Sequence, residues 1–261
     1  MNDRPLRGIL PVVPTTFSDQ GGLDLESQRR VLDCMIDQGV DGACILANFS
    51  EQFLLADEER NQLLSVCLNH VAGRIPIIVT CSHFSTRIAI ERAQQAEAAG
   101  AAMIMMMPPY HGTALKADEN GIREHFERVA GAIDIPIMLQ DAPLSGVALS
   151  VRLLAELAQA IPQLAYFKIE VPGTAAKIRA LIEAAGNAVL GPLDGEESIT
   201  LMADLDAGAT GSMSSALLPE LIKRVIECHR AGDRTTAATE YARILPLINY
   251  ENRQCGLRAA K

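Results

Sequence analysis

One lysine and one glutamate have the types and the spacing for carbonyl chemistry. Lys168 stands in the segment AYFKIE, inside an apolar run typical of a buried strand, and Glu170 follows two residues later. Because side chains alternate along a strand, we expect both on the same face. A desolvated lysine with a lowered pKa forms Schiff bases, and a neighbouring carboxylate can remove the proton that an imine makes acidic. An ion pair that only holds a buried lysine is the alternative interpretation.

The elements that would position this pair follow from eight apolar runs that alternate with amphipathic stretches. Runs such as PIIVT and MIMMM are typical of parallel strands covered by helices. The predicted strands are residues 8–13, 42–47, 76–80, 102–107, 136–140, 165–170, 188–191 and 210–214. The predicted helices are residues 25–38, 57–71, 85–98, 117–132, 150–160, 174–185, a short crossover near 197–206, 217–231 and 234–247.

This strict alternation predicts an α/β protein with one (β/α)8 TIM barrel and a C-terminal helical extension. We expect the catalytic barrel over residues 1–231 and the helical segment, possibly incomplete, over residues 232–261. A doubly wound open sheet is the alternative fold. In a barrel of this kind the active site lies at the carboxyl ends of the strands, where Lys168 and Glu170 are expected.

Composition excludes several classes of protein. With 49% hydrophobic and 21% charged residues among 261, the chain is not intrinsically disordered. A net charge of −9 argues against nucleic acid and anionic membranes as partners. The sequence has no apolar run of about 20 residues, no signal-peptide pattern, no metal-ligand spacing of histidines and no nucleotide motif. We therefore expect a cytoplasmic protein without a metal or cofactor, whose six cysteines are small buried residues in a reducing compartment rather than catalytic thiols.

Six ordered motifs give the chain a resemblance to a known family. They are GILPVVPTTFSDQGGLD at the start, LANFSEQFLLADEER at residues 46–60, MPPYHG at 107–112, PIMLQDAP at 136–143, FKIE at 167–170 and GATGSMSS at 208–215. The sequence resembles the dihydrodipicolinate synthase/N-acetylneuraminate lyase family of class I aldolases and dehydratases. The resemblance implies a barrel enzyme whose Lys168 condenses with the ketone of a 2-keto acid, in a homo-oligomer built as a dimer of dimers.

The resemblance also implies where a substrate binds. Its carboxylate would lie against the loop after the second strand, at Asn48, Phe49 and Ser50, although a turn or cap is the ordinary role of such a serine. The remaining expected substrate contacts are Tyr110, His111, Gln140, Gly191, Glu196 and Ser214, of which Tyr110 and His111 could instead lie in a subunit contact.

Departures from the family pattern point to the reaction. Gln140 replaces a tyrosine that relays protons in the family, and an amide cannot act as an acid or base near neutral pH. Glu170 stands where well-known members carry small or uncharged residues, and Asp194, Glu196 and Glu197 crowd the loop after the seventh strand. A solvated acidic loop is the alternative interpretation of that cluster.

The loss of the family tyrosine and the gain of carboxylates suit a reaction that removes a proton and expels hydroxide. Within the family the chain is most similar to the 2-keto-3-deoxy-L-arabonate dehydratases, which implies a hydro-lyase that forms 2-oxoglutarate semialdehyde. Glu170 would remove a C3 proton, and Glu197, with Glu196 behind it, would protonate the leaving hydroxyl. Three alternatives remain open: a retro-aldolase that releases pyruvate from a 4-hydroxy-2-keto acid, a hydroxypyrroline-carboxylate deaminase, and a catalytically inactive regulator that binds a 2-keto acid.

Overall fold

Eight parallel strands form the central sheet of the protein. The computed structural model describes residues 5–112 and 114–260, so the outermost ends of the two predicted domains, residues 1–4 and 261, lie outside the described residues. The strands are β1 (Gly8–Ile9), β2 (Ala43–Ile45), β3 (Ile77–Thr80), β4 (Met103–Met106), β5 (Ile137–Asp141), β6 (Leu164–Ile169), β7 (Gly191–Asp194) and β8 (Gly211–Ser212).

The sheet runs in the order β1-β8-β7-β6-β5-β4-β3-β2, with every pairing parallel. Its two edges meet through a bridge between Val12 and Cys44, where the Cys44 N–H donates to the Pro11 carbonyl at 2.8 Å. The predicted α/β class, with eight parallel strands in barrel order, is confirmed.

Helices follow the strands and cover the outside of the sheet. They are α1 (Leu25–Asp37), α2 (Asp57–Val71), α3 (Thr86–Ala98), α4 (Glu119–Ala130), α5 (Val151–Ala160), α6 (Thr174–Ala185), α7 (Leu201–Asp206), α8 (Pro219–Arg230) and α9 (Arg234–Tyr250). Side-chain caps fix several starts: the Asp24 carboxylate accepts from the Ser27 N–H at 2.9 Å, and the Ser150 hydroxyl accepts from the Leu153 N–H at 3.1 Å.

Two apolar layers follow from the alternation along the strands. One cluster lies between the strands and the helices and includes Ile104, Leu139 and Phe167, while a second includes Met105 and Met138. Consecutive residues of one strand therefore fall in different clusters, as expected for a strand that is buried on both faces. The methionine run is strand core, as predicted.

Several boundaries differ from the predictions. The seventh strand covers Gly191–Asp194 rather than residues 188–191, because Gly186–Ala188 form a 3-10 turn and β7 pairs with β6 only from Gly191 onward. The crossover after it is helical only over Leu201–Asp206. The last helix extends through Pro246 to Tyr250 and continues into a π-helical turn, Glu251–Cys255.

The structure bears on two expectations, the burial of the cysteines and the absence of a membrane-spanning segment. All six cysteines are free, but Cys34 is exposed, so the prediction that the cysteines are uniformly buried is wrong. Among residues 5–112 and 114–260, no helix has the length and the apolar character that crossing a membrane requires.

Candidate active site

Lys168 is the next-to-last residue of β6 and lies within the barrel wall. Its side chain is only 3% exposed. In register it pairs with Gln140 of β5 on one side and with Leu193 of β7 on the other. The strand therefore fixes the lysine near the carboxyl ends of three neighbouring strands.

Glu170 and Gln140 contact one another beside this lysine. The Lys168 Nζ lies 3.3 Å from the Glu170 Oε2, and the Gln140 Nε2 donates to the same oxygen at 2.8 Å. The predicted shared face of Lys168 and Glu170 is thus realised, and Glu170 remains 24% exposed. In the described part of the chain, the buried Oε1 of Gln140 has no hydrogen-bond partner. The cluster keeps a free acceptor and a reachable carboxylate.

The charge on Lys168 differs from the expectation of a lowered pKa. Burial lowers the pKa of Lys168, but the negative charge of Glu170, with that of Glu197 when it is ionised, outweighs burial and raises the pKa above its ordinary value. The resting lysine is therefore an ammonium that is stabilised by its neighbours. It becomes a nucleophile when a neighbouring group takes its proton.

Glu197 is a buried acid that faces the same cluster. Burial, reinforced by the negative charges of Glu170 and Asp194 and opposed by Lys168, raises the pKa of Glu197 to about 8. Neither of its carboxyl oxygens has a hydrogen-bond partner among the described residues. A carboxyl group with this pKa holds its proton at neutral pH and can donate it. Glu197 is therefore a buried acid, in contrast to the alternative interpretation of a solvated acidic loop.

Asp194 holds the loop that carries Glu197. It ends β7, is fully buried, and accepts the Glu196 N–H at 2.9 Å, the Ser198 N–H at 3.0 Å and the Ser212 hydroxyl at 2.7 Å. These bonds turn the chain back on itself directly after the strand. Because the strand was predicted to end at Gly191, this role of Asp194 was not anticipated from the sequence.

Gly195 makes a close approach to the lysine that the sequence analysis also missed. A Cβ at this position would lie 2.8 Å from both the Lys168 Cγ and the Ile169 carbonyl oxygen. A side chain there would displace the lysine, so only glycine fits.

Two further buried carboxyl groups surround the site. Burial and the neighbouring Asp194 raise the pKa of Asp204 to about 7, and burial raises the pKa of Glu251. Glu251 comes from the π-helical turn at the end of the chain, and its charge acts on Glu197. Helical periodicity could not have signalled this contact, because it does not indicate which loop a terminal helix reaches.

Other predicted site residues follow β2 and β4, at the same carboxyl end of the parallel sheet as Lys168. Asn48, Tyr110 and His111 line a cavity of about 480 Å³ whose lining does not include Lys168, Glu170 or Glu197. The His111 ring lies 4.6 Å from that of Phe84, centroid to centroid. The structure therefore brings these three residues together around one cavity.

The remaining predicted contacts are dispersed. Phe49 packs against the inner apolar cluster, and the Ser50 hydroxyl donates to the Val13 carbonyl at 2.6 Å. Ser214 is buried after β8 and donates to the Ser215 carbonyl at 3.2 Å, while Glu196 lies beside Glu197 and is partly exposed. Gly191 begins β7 and faces the Tyr166 ring, at the end of the strand opposite to the one that Asp194 occupies.

The arrangement combines an amine nucleophile, a base within contact distance, and a protonated carboxyl group. A lysine beside a carboxylate can form an imine with a ketone and exchange protons at the adjacent carbon. A second carboxyl group that is protonated at neutral pH can assist a leaving hydroxyl. The site thus has the groups required for an elimination through a Schiff base.

Comparison with known proteins identifies relatives of this chain. The model of the dihydrodipicolinate synthetase family matches residues 5–256. An L-2-keto-3-deoxyarabonate dehydratase of Azospirillum brasilense is 56% identical over 98% of this chain and 82% of its own length. A 4-hydroxy-tetrahydrodipicolinate synthase of Bartonella bacilliformis is 29% identical over 93% of this chain and 81% of its own. The crystal structure of YagE from E. coli K12, in complex with pyruvate, is 28% identical with a TM-score of 0.88, over 94% of this chain and 83% of that one. The chain belongs to the dihydrodipicolinate synthetase family.

Proposed function

We propose that this protein is a hydro-lyase that converts 2-keto-3-deoxy-L-arabonate to 2-oxoglutarate semialdehyde through a Schiff base on Lys168. The observation that carries the proposal is the contact of Lys168 with Glu170, together with a buried Glu197 that acts electrostatically on Lys168 and has no hydrogen-bond partner among the described residues. The relative that is 56% identical bears the name of this activity.

The first step is attack of the Lys168 amine on the C2 ketone. Because the resting lysine is an ammonium, its proton must leave first, and the Glu170 oxygen 3.3 Å away accepts it. Glu170 then returns this proton to the carbinolamine hydroxyl, water leaves, and the imine forms with Glu170 ionised again. Gln140 donates to the same Glu170 oxygen and fixes the orientation of the carboxylate toward the lysine.

The elimination uses the two glutamates in opposite roles. The imine acidifies C3, and Glu170 takes one C3 proton to give an enamine. The enamine electrons then form the C3–C4 double bond as the C4 hydroxyl leaves with a proton from Glu197. The conjugated imine loses a C5 proton and regains one at C3, which makes an enol that becomes the C5 aldehyde. Hydrolysis frees Lys168, so the net reaction is loss of one water molecule.

The contacts proposed for the substrate divide between its two ends. We assign its carboxylate to the loop of Asn48, Phe49 and Ser50, and its hydroxylated end to Glu196 and Ser214. Gly191 stands at the other end of β7 from Asp194, so we place no substrate contact there.

A retro-aldolase and a hydroxypyrroline-carboxylate deaminase remain the alternative enzymes. Aldol cleavage needs a proton relay at the C4 hydroxyl, and the side chain at the usual position of that relay is the amide of Gln140. Buried Glu197 supplies an acid in place of that relay, which favours hydroxide loss. A regulator that only binds a 2-keto acid would not need a buried acid that acts electrostatically on the lysine.

We further propose a homo-oligomer arranged as a dimer of dimers. Support comes from the loops after β2, β3 and β5, where the side chains of Phe53, Phe84 and Leu144 are 67%, 51% and 56% exposed. Exposed apolar groups of this size are typical of subunit contacts. Tyr110 and His111 lie in the same region, so we assign them to the rim of that contact.

The domain limits and the location are also proposals. We propose that residues 1–231 form the catalytic barrel and that residues 232–261 form a helical segment packed on it. The six free thiols suit a reducing compartment such as the cytoplasm.

Product analysis with 2-keto-3-deoxy-L-arabonate tests the proposed reaction. We expect wild type to form 2-oxoglutarate semialdehyde and Glu170→Gln to lose that product. Pyruvate and glycolaldehyde would instead identify an aldolase. Borohydride reduction in the presence of pyruvate separately tests the Schiff base, because a mass gain present in wild type and absent in Lys168→Ala requires the imine.

A further inference from the structure

The loop that carries Glu197 adopts a backbone conformation that requires external support. Glu197 and Ser198 have φ values of 54° and 67°, both in the left-handed region that residues with a side chain rarely adopt. Two consecutive residues of this kind persist only where surrounding contacts hold them. The direction of the Glu197 carboxyl group therefore depends on whatever fixes this loop.

Two groups hold the loop from opposite sides. Before Glu197, Asp194 accepts the backbone N–H groups of Glu196 and Ser198. After it, the Tyr241 hydroxyl lies 2.9 Å from the Ser198 carbonyl oxygen and also contacts the Ile199 carbonyl oxygen. Tyr241 belongs to α9, which is 43 residues away along the chain.

We propose that Tyr241 is a positioning residue for the elimination: its hydroxyl fixes the loop so that the Glu197 carboxyl group faces Lys168. This inference rests on the proposed function, because it assigns a support to the proton donor of that reaction. Tyr241 itself touches backbone carbonyls, so its effect on the chemistry passes through Glu197.

The chemistry of the contact supports this role. A phenol donates one proton, and both of its partners are carbonyl oxygens, which only accept. Burial and the negative charges of Asp194 and Asp204 raise the pKa of Tyr241, so the hydroxyl keeps the proton that it donates. The apolar neighbours on the buried face of α9, Ala237, Ile244 and Ile248, can dock the helix without the hydroxyl. The hydroxyl is therefore available to hold the loop.

The consequence is specific to one step. Imine formation and removal of the C3 proton use Lys168 and Glu170, whereas Glu197 acts when the hydroxyl leaves. A loosened loop should slow dehydration and leave the earlier steps intact. A tyrosine that only stabilised the fold would affect all steps alike.

The experiment compares Tyr241→Phe with Tyr250→Phe, a tyrosine that lies on the same helix and is 57% exposed. Three rates are measured: dehydration of 2-keto-3-deoxy-L-arabonate, borohydride trapping with pyruvate, and deuterium exchange at C3 of pyruvate. For Tyr241→Phe we expect kcat for dehydration to fall about tenfold, the typical weight of one lost buried hydrogen bond. The KM, the trapping and the exchange should stay within about twofold of wild type, as should all values for Tyr250→Phe.

A double variant decides whether Tyr241 acts through Glu197. Adding Tyr241→Phe to Glu197→Gln should lower kcat by no more than about twofold, because the donor is already absent. Multiplicative effects would overturn the positioning role, and so would an equal loss of trapping, exchange and dehydration in Tyr241→Phe. A wild type that is inactive in dehydration would overturn the proposed function and this inference together, whereas an active wild type with an unaffected Tyr241→Phe would overturn this inference alone.

Discussion

Two buried lysine–carboxylate pairs lie on opposite faces of the same two strands. Lys168 and Glu170 meet inside the barrel, next to Gln140 of β5. Asp141, the residue after Gln140, meets Lys177 of α6 with 2.5 Å between Oδ2 and Nζ. Consecutive residues of a strand point to opposite faces, so the second pair lies in the helical layer.

The pairs differ in how far their carboxylates are exposed to solvent. Lys177 also donates to the Leu149 carbonyl at 2.6 Å, which ties α6 to the segment before α5, and Asp141 is only 1% exposed. The inner pair is looser, and Glu170 remains reachable from solvent. The inner pair thus keeps a carboxylate that a substrate can reach, whereas the carboxylate of the outer pair is enclosed by the fold.

Replacing each lysine in turn should distinguish the catalytic pair from the structural pair. The replacement of Lys168 should have the larger effect on dehydration. In Lys168→Met we expect dehydration to fall by at least about 10⁴-fold, since the imine cannot form. Lys177→Met is the matched control and should still trap pyruvate on borohydride reduction. Mass spectrometry of the reduced proteins measures this. Trapping in Lys168→Met would place the nucleophile elsewhere.

The two neighbouring acids of the inner site should also differ. Glu197→Gln should lower kcat for dehydration by about 10²–10⁴-fold, the usual contribution of a general acid. The adjacent Glu196→Gln serves as its control and should cost less than about fivefold. Steady-state kinetics with 2-keto-3-deoxy-L-arabonate measures both, and a larger loss in Glu196→Gln would exchange the two roles.

The pH profile gives an independent test of Glu197. Its raised pKa of about 8 means that the acid form is present below that pH and is lost above it. Wild-type kcat/KM should therefore fall as the pH rises through about 8. In Glu197→Gln the residual activity should lack this decrease, and an unchanged basic limb would contradict the assignment.

For the free energy of unfolding, in contrast to activity, Lys177→Met should have a larger effect than Lys168→Met. Lys177→Met leaves Asp141 buried without its partner, so we expect a loss of about 3 kcal/mol in the free energy of unfolding. Lys168→Met removes a buried ammonium and leaves Glu170 within reach of water, so its effect should stay below about 1 kcal/mol. Urea unfolding at pH 7.5 compares the two variants. Equal losses would mean that both pairs are structural.

A smaller effect concerns acid stability in the helical layer. His125 is 1% exposed, and burial together with the charge of Arg128 lowers its pKa to about 4. The unfolded chain binds a proton below the ordinary pKa of about 6.5 while the native chain does not, so stability decreases as the pH falls from about 6.5 toward 4. Between pH 7.5 and 5 this amounts to about 2 kcal/mol.

His125→Gln should remove that part of the pH dependence, with His70→Gln as a control on a more exposed histidine. Thermal unfolding at the two pH values measures the difference. A pH dependence that is identical in all three proteins would show that His125 is not its source.

The inner site was largely predictable because short-range rules determine it. Alternation along β6 places Lys168 and Glu170 on one face, and the order of apolar runs gives the parallel sheet. The limits of β7 were not predictable, since its residues, Gly191–Asp194, include none of the β-branched or aromatic side chains that favour a strand. Pairing with β6 determines where that strand begins.

The supports of the acidic loop were beyond sequence reasoning for a different reason. Tyr241 and Glu251 reach the site from a helix that is remote in sequence, and helix periodicity reports which face is buried but not what covers it. The raised pKa of Lys168 likewise depends on two carboxylates whose distance only the folded chain fixes.

The left-handed backbone at Glu197 has a consequence for how this protein can change over generations. Glycine adopts that conformation without a steric cost, so Glu197→Gly should relieve about 1–3 kcal/mol of strain and remove a buried acid at the same time. Selection for heat resistance alone would favour that substitution, and selection for growth on the substrate would remove it. At this position, thermodynamic stability and catalytic turnover are therefore expected to compete.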